Sequence, residues 1–269
     1  MRAKFLHVLL GLASAILAFN ATAAAAPADR PTLRVGIATN YPPLAFKQDG
    51  EITGVEAQFA RQLSDELNTE MSLVETRFEE LIPALLAGRI DVIMSGMSIT
   101  DERKKSVSFT QPYLRVGQMA LLRGTDAERL RGAAAFNQPT TRIGVVTGTT
   151  GAAYARRQLT QAKIQDFAGV DEAVAALRDH RIDVFIYDAP AIWRVAGGFH
   201  NPDHQLVGRY EPLTEEYLAW AVRKDDALRE RLDAVLRKWQ DNGELERVLD
   251  RWIRTRRWTT TTPGQAATQ

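Results

Sequence analysis

Residues 94–103, MSGMSITDER, end an apolar run with Ser95 and Ser98 around Gly96 and Met97, and close on Arg103. Hydroxyls, backbone N–H groups and a guanidinium in one short stretch are what a small anion needs, since the guanidinium fork matches a carboxylate. A plainer reading makes Arg103 a surface ion-pair partner behind Asp101 and Glu102, with Thr100 capping a short helical turn. TGTTG, 147–151, places Thr149 and Thr150 at the entry to a helical pattern, where backbone N–H groups favour an anion; the alternative is a simple glycine-rich helix entry. Tyr187 and Asp188 end a second apolar run. That carboxylate suits either an ammonium group or the cap of the helix starting at Ala189-Pro190. Arginine and hydroxyls on one side, with a carboxylate on the other, suit a small zwitterion.

The elements that must position these residues alternate between strand and helix patterns. LRVGIA (33–38) precedes VEAQFARQLSDEL, with Val55, Phe59, Leu63 and Leu67 four residues apart, and then MSLVET (71–76). LIPALLAG follows as a helical stripe stopped at Gly88, before the continuous apolar run RIDVIM (89–94). A second series runs through RIGVV (142–146), AAYARRQL, KIQDF, DEAVAALRD, RIDVFIY (181–187) and APAIWRVA. Arg-Ile-Asp-Val stands in the same place in both series, at 89–92 and 181–184, which favours two similarly built lobes over one extended sheet. GQMALLR (117–123) and EYLAWAVR (216–223) are the segments expected to carry the chain between lobes. Two amphipathic helices separated by Asn242-Gly243 close the pattern and need a lobe to pack on. Ligands in open parallel sheets sit beyond the carboxyl ends of strands. Here those ends are Ser95–Ser98 and Tyr187-Asp188.

Composition narrows the function classes. Arg2 and Lys4, the apolar run Phe5–Phe19 and the alanines at 21–26 read as a secretory signal over 1–25, cleaved after Ala23 or Ala25. Without those two cations the chain carries 32 basic and 33 acidic residues, a balance that favours neither nucleic acid nor an anionic membrane. The absence of cysteine excludes disulfides, thiol nucleophiles, thiolate metal sites and a lipid-modified cysteine. From Arg254 on, RTRRWTTTTPGQAATQ lacks apolar periodicity and reads as a tail. His180 abuts Arg181, and His200 and His204 flank Pro202 in a loop, so no metal site is expected. No Gly-x-Ser-x-Gly elbow or phosphate-loop Gly-Lys-Ser/Thr occurs.

Taken in order, YPPLAF (41–46), the Gly50–Gly54 turn, LIPALLAGRIDVIMSGMSITDER, VSFTQPYL, IGVVTGTT, RIDVFIYD and NGELERVLDRW resemble the family 3 solute-binding proteins, periplasmic amino-acid receptors of ABC importers. The likeness covers about 33–253. It implies an α/β, two-lobed periplasmic binding protein fold of type II with a two-strand hinge. The implied parts are lobe 1 at 31–118 completed by 221–254, lobe 2 at 119–220, and a tail at 255–269. The same resemblance makes Arg103 the carboxylate anchor, with Ser98 and Thr150 as backbone donors, and puts Ser95, Ser98 and Asp188 where an α-ammonium is held. Tyr41 and Phe78 become pocket walls.

The implied partners are an amino acid and an ABC transporter permease, with no nucleic acid and no cofactor, in a periplasmic monomer. GVEAQF stands where many relatives have Gly-Phe-Asp-x-Asp-Leu, and Val55, Glu56 and Gln58 are expected on a helix away from the ligand. No acid occurs in ATNYPPL (38–44), where receptors for basic amino acids usually add one; with Tyr41, Phe78, Met97 and Tyr187 this points to a neutral amino acid. The rival is a periplasmic cyclohexadienyl-dehydratase-like enzyme of the same fold. Ala189-Pro190-Ala191 offers no second acid where such enzymes carry a glutamate, so a binding protein is expected.

Overall fold

The computed structural model describes residues 30–197, 205–209 and 211–253. The signal segment, the 255–269 tail and the His200–His204 loop lie outside the described residues. The chain begins with β1 (Thr32–Ile37), a three-stranded meander of β2 (Asn40–Tyr41), β3 (Ala45–Gln48) and β4 (Glu51–Thr53), and α1 (Val55–Glu66). Then come β5 (Glu70–Glu75), α2 (Leu81–Leu86), β6 (Val92–Ile93), α3 (Asp101–Ser106) and β7 (Val107–Phe109). β8 (Leu114–Val116) leads to β9 (Gln118–Arg123), α4 (Ala133–Phe136), β10 (Arg142–Val146), α5 (Thr150–Gln158), β11 (Lys163–Phe167) and α6 (Val170–Arg178). After β12 (Val184–Asp188), α7 (Ala189–Ala196) and β13 (Leu206–Arg209), the chain returns through β14 (Glu216–Leu218) to β15 (Ala221–Arg223), α8 (Leu228–Asp241) and α9 (Glu244–Ile253).

Two five-stranded sheets result, ordered β5-β1-β6-β15-β7 and β11-β10-β12-β9-β13. In each, three parallel strands are followed by one antiparallel strand and then by a fifth that runs with the first three. The repeated Arg-Ile-Asp-Val therefore marks one construction used twice. In the first lobe Asp91 accepts from the Arg34 backbone N–H at 2.9 Å, Nε at 3.0 Å and Nη2 at 2.8 Å. In the second, Asp183 accepts from Arg142 in the same three ways at 2.9, 3.0 and 2.8 Å. The isoleucine before each aspartate packs on a strand glycine. A Cβ on Gly36 would lie 2.2 Å from Ile90, and one on Gly144 2.4 Å from Ile182.

The second copy carries more charge inside. Arg123, buried, also donates to Asp183 at 2.9 Å. Burial by itself would raise the Asp183 pKa, but hydrogen bonds from the Arg142 side chain and backbone and from Arg123 outweigh it and bring it to about 2. A depressed acid of this kind stabilises the fold above its ordinary pKa and loses that contribution as pH falls toward 2. Asp183→Ala is expected to cost about 3 kcal/mol, because it removes a carboxylate shared by Arg142 and the buried Arg123, which is left with only Asp126 and two carbonyls. Asp91→Ala should cost about 1 kcal/mol, since the Arg34 side chain is 44% exposed. Urea unfolding of the two variants at neutral pH checks the difference; equal losses would refute the burial argument.

The crossing between lobes differs from the sequence expectation. GQMALLR forms β9 inside the second sheet, every residue of the strand buried. EYLAWAVR splits at Ala219-Trp220 into β14 and β15. The pair joining the lobes is β8 with β14, antiparallel with Val116 opposite Glu216 and Leu114 opposite Leu218. Apolar runs cannot by themselves distinguish a crossing strand from a central one. The two closing helices cover the first lobe, where Trp239 stacks on Phe59 at 5.6 Å and Trp252 Nε1 donates to Gln58 at 2.7 Å.

Candidate functional site

Two parallel strands of each sheet aim their carboxyl ends at one cleft: β1 leads into Thr39–Tyr41, β6 into Ser95–Ser98, β10 into Thr147–Thr150, and β12 ends on Tyr187 and Asp188. Among the described residues, side-chain hydrogen bonds cross this cleft from the first lobe to the second. Tyr41 OH donates to Asp188 Oδ2 at 2.6 Å, Arg103 Nη2 donates to the Gly148 carbonyl at 3.1 Å, and Asn40 Nδ2 donates to the Ala168 carbonyl. Tyr187 stacks on Phe185 and meets the Tyr41 ring edge-on at 5.0 Å.

Asp188 stands at the N-cap position of α7, but its side chain makes no capping bond. Instead it accepts from Tyr41 and from Gln118 Nε2. Burial, with the charge of Glu216 second, raises its pKa to about 7 against the pull of those two bonds and of Arg103. Asp188 is therefore a carboxylate held at the edge of ionisation, which a neighbouring cation would tip toward its charged form.

Arg103 turns away from its sequence neighbours. Asp101 pairs with Lys104 and Glu102 with Lys105, so the surface ion-pair reading fails. Thr100 does cap α3, accepting from the Arg103 backbone N–H at 3.1 Å. The guanidinium donates to the Ser98 carbonyl at 2.7 Å and to Gly148, and lies 5.4 Å from the Phe78 ring centroid. Burial lowers its pKa, opposed by the fields of Asp188 and Glu216. Five guanidinium N–H groups minus these two leave three donors for an anion.

The loop between these groups is built more than the sequence suggests. Ser95 Oγ accepts from the Ala38 N–H at 2.9 Å, tying the loop to the end of β1. Gly96 has φ +61°, and a Cβ there would lie 2.7 Å from the Tyr41 ring; glycine lets that ring reach Asp188. Met97, buried, packs in the apolar cluster of Leu81, Leu85 and Ile90, against which Phe78 also lies. Ser98 pairs with Leu218 of the crossing strand. Thr149 caps α5, accepting from the Ala152 N–H at 3.2 Å, and Thr150 Oγ1 donates to Glu216 at 2.6 Å.

Glu56 corrects the expectation that this helix only faces away from the site. Fully buried, its carboxylate accepts from the Gly96 N–H and Tyr113 OH, both at 2.6 Å, and from Trp220 Nε1 at 3.0 Å. Burial raises its pKa while these three donors pull it down. It thus fastens the Ser95–Ser98 loop to both segments flanking the β8–β14 crossing.

Two residues escaped the sequence analysis altogether. Gln118, at the start of β9, joins Asp188 to Thr150. Glu216, on β14, supplies the second acid that 189–191 does not. TEEYL shows two adjacent glutamates on opposite faces of a strand, and only pairing reveals that Glu215 turns out to Arg115 while Glu216 turns to Thr150. Among the described residues no cluster of histidine, aspartate and glutamate could hold a metal, and no helix is long and apolar enough to cross a membrane.

A probable histidine-binding protein of Campylobacter jejuni is 36% identical over 181 residues, 67% of this chain and 67% of that protein. An L-arginine-binding protein of Pseudomonas aeruginosa is 31% identical over 268 residues, 93% of this chain and 96% of its own. The crystal structure of an ancestral amino-acid-binding protein, AncCDT-1, described as a precursor of cyclohexadienyl dehydratase, superposes with a TM-score of 0.76 at 32% identity, over 82% of this chain and 95% of that one. Residues 33–255 match the family model of bacterial extracellular solute-binding proteins, family 3. With two lobes of one design, a β8–β14 crossing and strand ends meeting in one cleft, this chain belongs to that family.

Proposed function

We propose that the chain is a periplasmic receptor, working as a monomer, that captures one α-amino acid between its lobes and delivers it to the permease of an ABC importer. The observation that carries this reading is the opposition of Arg103, bonded only to carbonyls, and Asp188 on the other lobe. Arg103 takes the carboxylate together with first-turn N–H groups of α5, and Asp188 takes the ammonium. Tyr41, Phe78 and Tyr187 supply aromatic walls. Relatives named for binding histidine and arginine support the same ligand class.

The expectation of a neutral side chain rested on the lack of an acid in 38–44 and on Tyr41, Phe78, Met97 and Tyr187. Glu216 enters from the crossing strand, outside that stretch, and reopens the side-chain class. It also restores a second acid to the cleft, so catalysis is tested directly.

Mature protein screened by thermal shift against the common amino acids should respond to at least one. A ligand at a hundred times its Kd adds about 2.7 kcal/mol. Amino acid, prephenate and arogenate recovered after incubation should be chemically unchanged by mass spectrometry. No thermal response to any amino acid refutes the receptor; conversion of prephenate or arogenate replaces it with the dehydratase.

A further inference from the structure

The cleft holds more negative charge than a simple zwitterion balances. Arg103 brings one positive charge, while Asp188 and Glu216 bring two carboxylates. Among the described residues none of the three is in an ion pair. The nearby acids are already matched: Glu215 pairs with Arg115, and Glu79, packed by Gly148, pairs with Arg77. Glu216 is held by hydroxyls alone, Oε2 accepting from Thr150 at 2.6 Å and Oε1 from Thr214 at 2.8 Å. Hydroxyls orient a carboxylate without neutralising it.

Gln118 joins this corner to Asp188. Its Nε2 donates to Thr150 Oγ1 at 3.1 Å and to Asp188, and its backbone N–H donates to Thr214 Oγ1 at 3.0 Å. Its Oε1, wholly buried, has no donor among the described residues. The run Tyr41–Asp188–Gln118–Thr150–Glu216 is therefore richer in acceptors than in donors. Glu216 is also close enough to raise the pKa of Asp188.

An α-amino acid that gives its carboxylate to Arg103 and its ammonium to Asp188 leaves the Glu216 charge unmatched. A second cationic group on the ligand brings the cleft to neutrality and supplies the missing donors. We infer that Glu216 is a specificity-determining residue that selects ligands carrying a second positive charge, the basic amino acids. This rests on the receptor reading above and adds the side-chain class to it.

The test is calorimetric titration of wild-type mature protein and Glu216→Gln at about pH 8, where Asp188 is ionised. Arginine is compared with citrulline, which keeps its outline without the charge, and lysine with norleucine, which lacks only the terminal ammonium. Wild type should bind at least one basic member about ten- to a hundredfold tighter than its neutral counterpart, the range of a charge-assisted hydrogen bond. Glu216→Gln should reduce that ratio to within about threefold. Equal affinity of wild type for both members of each pair overturns the inference and leaves the receptor intact, as does an undiminished preference in Glu216→Gln. If the variant does not fold, the wild-type ratios decide. If neither these ligands nor any other amino acid binds wild type, the receptor reading itself has failed.

Discussion

Arg103→Ala is expected to weaken amino-acid binding by roughly thirty- to several-thousand-fold, or about 2 to 5 kcal/mol, with the fold intact. The size follows from desolvation. The guanidinium lies against the Phe78 ring and between two carbonyls, where a carboxylate partner is poorly screened by water and its loss is felt almost fully. The helix that carries residue 103 should survive, because Thr100 caps it through the backbone N–H of that residue, which alanine retains. Arg103→Lys keeps the charge but loses the planar fork, so its affinity should fall between wild type and alanine. Titration calorimetry on folded variants checks both. Affinity within threefold of wild type in Arg103→Ala would remove this residue from the site.

Asp188→Asn should abolish most binding of any ligand with a free α-ammonium and, with it, a particular pH dependence. The Asp188 pKa is raised from its ordinary value of 3.8 to about 7 by burial and by Glu216. In the ligand-free protein such a group contributes stability that is full below about pH 4 and is lost as pH rises through 7. The loss is roughly 4 kcal/mol. An ammonium needs the ionised form, so wild-type affinity should climb with pH, by up to about tenfold per unit below 7, and then level off. The amide that replaces the carboxylate in Asp188→Asn cannot ionise. The variant should therefore bind at least about a hundredfold more weakly at pH 8, show no such slope, and lose the Asp188 part of the fall in ligand-free stability between about pH 4 and 7. Because the wild-type side chain makes no capping bond, α7 should be unaffected. A wild-type affinity that does not change between about pH 5 and 8 would show that Asp188 does not hold the ammonium.

What the sequence alone determined is the local grammar and one half of the candidate site. Period-2 and four-residue spacings reflect the geometry of strands and helices, so the order of elements, the two lobes and the closing helices were legible. Arg103, Thr150 and Asp188 were legible because they fall at strand ends and helix starts, where chain direction alone brings backbone and side-chain donors together. The repeated Arg-Ile-Asp-Val was visible as a pattern. Its reason, an aspartate clamping an arginine and an isoleucine seated on a glycine, required the register of strands whose clamped residues lie 57 and 41 positions apart in the chain.

The tertiary structure decided whatever depends on which face of an element turns inward. Met97 and Glu56 sit on segments whose local pattern fits several orientations, and packing sent the first into the core and the second under the Ser95–Ser98 loop. Glu215 and Glu216 are chemically identical neighbours; the pairing of β14 with β8 alone sends one to Arg115 and the other into the cleft. Even the Asp188 pKa belongs to this class, since desolvation and a carboxylate from another strand are properties of assembled space, and no reading of the residues beside it in the chain contains them.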